Sequence, residues 1–171
     1  SAQIKSLTVA NSATNTVTVG AVPAYSMIID NSLTFQGAAT LNMRANGNVM
    51  DQAIDGTTSM ILTTPGDGAA NGQVTVNVNN IGAWSGGTDY PLIRYSSFTG
   101  DISDFTLGTI SGLSPRQTPS LVVSDNSIAL RITGDSLRWT GASSADWTTA
   151  AIGSPYNWIL PSSSTGTDFL T

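Results

Sequence analysis

The sequence predicts an all-β protein on three observations. Apolar residues alternate with polar ones in segment after segment, turn-forming dipeptides separate those segments, and no long window carries the 3.6-residue period of an amphipathic helix. In chain order, Lys5-Ser6-Leu7-Thr8-Val9 and Thr16-Val17-Thr18-Val19 alternate, as half-buried strands do. Met27-Ile28-Ile29 is a short apolar run suited to a strand buried on both faces. Leu33-Thr34-Phe35 and Thr40-Leu41-Asn42-Met43 return to alternation, and Met60-Ile61-Leu62 is a second apolar run. Gln73-Val74-Thr75-Val76-Asn77-Val78 alternates over six residues, and Pro91-Leu92-Ile93 and Leu121-Val122-Val123 come after it as further runs. Asn46-Gly47, Asp55-Gly56, Asp67-Gly68, Asn71-Gly72 and Gly86-Gly87 lie between these segments. Such pairs supply positive φ at low cost and stop a helix.

Composition bounds the chemistry. The chain of 171 residues is the size of one domain with a substantial core, and 40% of it is hydrophobic, unlike a disordered polar tail. Only 10% is charged, against roughly 25% in an average globular domain. All 11 acidic residues are Asp, Lys5 is the only lysine, and the net charge is −5. With no His and no Cys, the chain has no Ser-His-Asp triad, no Cys-His pair, no disulfide and no zinc site of the usual kind. No metal or cofactor is expected. The surplus negative charge and the lack of a basic run argue against nucleic acid. No stretch approaches the ~20 apolar residues of a membrane span. No signal peptide precedes the first strand, so export would need one removed or lying upstream of Ser1.

Strands that recur every ~8–20 residues, with Asn, Thr and Ser alternation and small residues at the corners, fit a parallel solenoid over residues 1–133. At roughly 20–30 residues per turn that stretch would hold about five turns. A sandwich of antiparallel strands is the alternative, since alternation alone does not separate the two.

Several segments resemble one family. Asn71-Gly72-Gln73-Val74-Thr75-Val76-Asn77-Val78, Gly87-Thr88-Asp89-Tyr90-Pro91-Leu92-Ile93-Arg94-Tyr95, Phe105-Thr106-Leu107-Gly108 and Ile128-Ala129-Leu130 succeed one another as in the final coils of autotransporter-type passengers. The family is that of the autotransporter-associated β-strand repeat proteins. Leu137-Arg138-Trp139-Thr140-Gly141, Asp146-Trp147, Asn157-Trp158, Gly166 and Phe169 are similar to the Trp-rich module that opens a repeat unit there. Ile4-Lys5-Ser6-Leu7-Thr8-Val9 and Val17-Thr18-Val19 resemble the strands that come after that module within a unit. Residues 1–133 thus read as the body and end of one unit, and 134–171 as the start of the next. The resemblance implies a right-handed parallel β-helix with a C-terminal Trp-rich β module, exported to a bacterial cell surface or beyond.

Each polar or aromatic candidate has two readings. Asp101 and Asp104 could divide acid and base roles in a carbohydrate-active enzyme, but between Gly100 and Phe105 they read as turn caps. Asp51, Asp55 and Asp67 could offer oxygens to calcium, yet both the nine-residue and the EF-hand calcium patterns are absent and D-G pairs mostly make turns. Arg94 and Arg131 are expected on strands, facing solvent or in an ion pair, and Lys5 alone makes no basic patch. Trp139, Trp147, Tyr156 and Trp158 read as an assembly and packing module. Trp84, flanked by Gly82 and Gly86-Gly87, reads as an exposed loop aromatic, and with Trp147 it is the candidate contact for a glycan.

The expected function is non-enzymatic: a β-solenoid stalk or adhesin segment, secreted or on the cell surface. Its partners would be copies of itself joined head to tail into filaments, or neighbouring repeats of a longer chain. Open sheet ends must be capped or paired, which favours such stacking. A glycan-binding module using exposed Trp is the alternative.

Overall fold

The computed structural model describes residues 2–19, 27–62, 74–161 and 164–169. It is all-β: among these residues there are fourteen strands, one 3-10 turn and no α-helix. The first sheet contains β1 (Ala2–Val9), β3 (Met27–Phe35), β6 (Ile54–Leu62), β8 (Thr88–Thr99), β11 (Ser127–Thr133) and β10 (Thr118–Ser124), in that order. The second contains β2 (Thr16–Thr18), β4 (Ala39–Asn46), β7 (Val74–Asn80) and β9 (Phe105–Ile110), with β5 (Val49–Gln52) paired to β4. A third, small sheet is β12 (Arg138–Trp139), β13 (Trp158–Leu160) and β14 (Thr165–Thr167).

Up to β9 the chain passes between the first two sheets, and each of these strands except β5 pairs in parallel with its counterpart from the previous pass. The register sets like against like. Ser6, Ser32, Ser59 and Ser97 are aligned across β1, β3, β6 and β8. Thr16, Thr40, Thr75 and Thr106 are aligned across β2, β4, β7 and β9. Between them, Leu7, Leu33, Met60 and Phe98 form one apolar row, and Val17, Leu41, Val76 and Leu107 another. A period of two fixes this pattern: a slip of one residue would turn Leu33 or Leu41, both fully buried, to solvent.

The described side chains of these rows, that of Met60 lying outside them, meet in one core. Phe35 from the first sheet packs edge-on against Phe105 of the second, their rings 6.3 Å apart. Ile29, Leu33, Leu41, Val74, Val76, Ile93, Ile128 and Leu130 are fully buried around them. Each such side chain contributes about 1.5–3 kcal/mol relative to exposure.

The parallel pattern stops at β8. Its first half, Thr88–Arg94, pairs with β11 in antiparallel register, while its second half, from Ile93 on, pairs with β6 in parallel. Pro91 therefore lies where β8 has a neighbour on one side only, a position that a residue without an N–H can occupy. The hairpin β10–β11 closes over this end, with the edge strand β10 also touching β9 and the 3-10 turn Ile102–Asp104. Its turn places both Asp125 and Asn126 at positive φ, 46° and 55°, the geometry of a two-residue primed turn. Parallel pairing from β1 to β9, β5 apart, departs from the antiparallel sandwich alternative, and the antiparallel pairing of β8, β11 and β10 departs from an unbroken parallel stack. No helix among the described residues is long and apolar enough to cross a membrane.

Candidate functional site

The tryptophans gather at the C-terminal module. Trp139 on β12 and Trp158 on β13 face each other across the strand pair, 5.2 Å between ring centroids. Trp147, from the long loop between these strands, packs on both, at 5.2 Å from Trp139 and 4.8 Å from Trp158. Phe169 closes the other side of Trp158 at 4.9 Å. Trp158 is buried and its indole N–H donates to the Thr148 carbonyl at 2.9 Å. Trp139 is half-buried, whereas Trp147 is 65% exposed. Tyr156 packs separately, its ring lying against Gly166, where any side chain would collide with it.

Two buried polar residues hold the loop that carries Trp147. The Asn157 side chain, fully buried, accepts from the backbone N–H groups of Ser143 at 2.7 Å and Ser144 at 3.0 Å. Its backbone carbonyl accepts from the N–H and hydroxyl of Thr140. Asp168, also buried, accepts from Ile152 N–H at 2.8 Å and Gly153 N–H at 3.2 Å. Buried polar groups with full partners specify one loop conformation. In the sequence Asn157 shows only as the partner of Trp158 in the Asn-Trp pair of the module, and Asp168 does not show at all, because a single Asp carries no signal of burial.

Trp84 corrects the expectation of an exposed aromatic. It does lie on a loop, but its side chain is 2% exposed, edge-on to Tyr90 at 4.6 Å, with its indole N–H donating to the Ser111 carbonyl at 2.7 Å. The Gly-rich flanks that suggested an open loop instead permit close packing. Gly86 approaches the Gly134 carbonyl, and Gly134, at φ +81°, approaches that of Arg116, so a Cβ at either position would collide with backbone. With its ring interior, Trp84 offers no face to a sugar.

Trp84 also ties the body to the module. Its carbonyl accepts from the buried Gln117 side chain at 2.8 Å and from the Ser136 hydroxyl at 3.4 Å. Gln117 bonds Ser136 as well, and Arg116 donates to the Asp168 carbonyl at 2.7 Å. The boundary near residue 134 is thus bridged by hydrogen bonds from both sides.

The Asp candidates have local roles. Asp101 accepts from Ser103 N–H at 2.8 Å, and Asp104 accepts from Asp101 N–H at 2.9 Å, a reciprocal capping box on the 3-10 turn. The bond from Ser103 holds the Asp101 carboxyl below its usual range. The side chains of Asp51 and Asp55, and all of Asp67, lie outside the described residues. Among those described, no three acidic or metal-ligating side chains come together. Arg131 makes the expected ion pair, both guanidinium contacts to Asp89 at 2.7 Å, and this holds the Asp89 carboxyl below its usual range. Lys5 and Arg94 are exposed on β1 and β8.

Comparison with protein-family models, with curated proteins and with solved structures finds no match to the chain.

Proposed function

We propose that this chain is a structural segment of an exported bacterial repeat protein of the autotransporter-associated β-strand type. In this reading residues 1–133 form a right-handed parallel β-helix that serves as a stalk or adhesin shaft without enzymatic activity. The alignment of Ser on Ser and Thr on Thr across successive parallel strands carries the proposal. Such a register builds a stiff, extendable wall from degenerate repeats.

Extension has a direction. Among the described residues no strand pairs with the outer edges of β1 and β2, whereas the β10–β11 hairpin occupies the other end of the first sheet. Like units would therefore join through the 134–171 module, which carries its own packed core, rather than by direct continuation of β8. Backbone groups on the β1 edge are the natural acceptors for that contact.

Electron microscopy with light scattering on the isolated chain tests the reading. Filaments or rods with an axial repeat near one unit, lost on deletion of residues 134–171, are the expected outcome. Discrete monomers at all concentrations would overturn assembly by this chain.

A further inference from the structure

We propose that Trp147 forms a binding platform for a neutral carbohydrate, stacking against one pyranose ring. The site goes beyond the structural role and stands or falls separately from it.

Three observations single out this position. First, the indole is 65% exposed yet held from beneath by two other rings, so its presentation is rigid. Asn157 and Asp168 fix the loop on either side of it through four backbone N–H bonds. A preorganised ring loses little entropy when a ligand covers it.

Second, the rim carries sugar-matching chemistry. Ser143, Asp146 and Thr149 are exposed within four residues of Trp147 along the same loop, as is Ser144, whose hydroxyl accepts from the Asn157 amide, and together they offer hydroxyls and one carboxylate to sugar hydroxyls. No Lys or Arg occurs from Trp139 to Leu160, so the loop lacks the cations that an anionic lipid surface, a nucleic acid or an acidic glycan would need.

Third, the size of the apolar patch decides between partners. A single indole covers about 150–250 Å², whereas a stable protein interface takes about 800 Å² from each partner. Ile152 is the one other large apolar residue of the loop that is strongly exposed. One ring matches the apolar face of one pyranose and falls well short of a protein footprint.

The test titrates the intact chain with cellohexaose, mannohexaose and chitohexaose, monitored by calorimetry and tryptophan fluorescence. Saturable binding to at least one is expected, weakened at least tenfold by Trp147→Ala and much less by Trp147→Tyr, which keeps a ring. Because Trp147 also touches Trp139 and Trp158, a measurement without mutation accompanies it: bound sugar should reduce acrylamide quenching of the exposed indole at least twofold. No saturable binding to any of the three sugars, binding within twofold of the parent in Trp147→Ala, or binding without protection from acrylamide would overturn the proposal.

Discussion

At the residue scale, the four tryptophans differ in exposure more than in surroundings, and that difference sorts their roles. Trp84 and Trp158 are buried and each donates an indole hydrogen bond to a backbone carbonyl. Replacing either by Ala should cost about 3–5 kcal/mol, the range for a large buried aromatic, read as a fall in the denaturant midpoint. The Asp89–Arg131 pair is a smaller matter, since Arg131 is largely in water. The Asp89 carboxyl titrates below the unfolded value of 3.8. The folded state therefore binds fewer protons than the unfolded chain in that range, and the contribution is present above 3.8 and lost as pH falls through the folded value. Asp89→Asn should lower the melting temperature slightly at neutral pH, and the gap to the parent should close in acid. A gap that persists at low pH would mean that the pair is not its source.

At the element scale, the hairpin β10–β11 ends the parallel pattern, and its turn depends on a residue that accepts positive φ. Asn126 sits at φ 55°, which Asn tolerates and Ala does not, so Asn126→Ala should destabilise the chain by about 1–2 kcal/mol in thermal unfolding. The strands themselves were legible: Lys5–Val9 and Thr40–Met43 lie wholly in strands, Thr16–Val19 does so up to Thr18, and Gln73–Val78 does so from Val74, Gln73 lying outside the described residues. Their pairing was not. Ser6, Ser32, Ser59 and Ser97 occupy one row, yet unequal connections separate them along the chain, so no fixed period shows in the sequence. The reversal at β8 was hidden too, because Thr88–Thr99 is one strand whose halves serve different partners. At the site, clustering of Trp139, Trp147 and Trp158 could be read from their spacing. The interior position of Trp84 could not, since Gly82 and Gly86-Gly87 look the same whether they open a loop or let backbone approach backbone.

At the scale of the whole molecule, the junction near residue 134 packs through two glycines, Gly86 against the Gly134 carbonyl and Gly134 against that of Arg116. Gly86→Ala would push a methyl group into the Gly134 carbonyl, so the segments must separate or shift. It should destabilise by about 1–3 kcal/mol and expose the region around Gly134 to limited proteolysis, while an unchanged digestion pattern would show that the junction yields elsewhere. The reversal at β8 also bears on how the chain acquires its shape. The β10–β11 hairpin closes over a two-residue turn, a contact available within microseconds. Every parallel pair must instead close an intervening stretch that includes a whole strand of the other sheet, at an entropic cost that slows its formation. Order would then spread from the C-terminal hairpin back toward β1, which among the described residues has a neighbour on one side only. Backbone amides should exchange with deuterium in the same gradient, slowest in β11 and fastest in β1, so that the hairpin serves as the template on which the earlier turns of the chain are laid down.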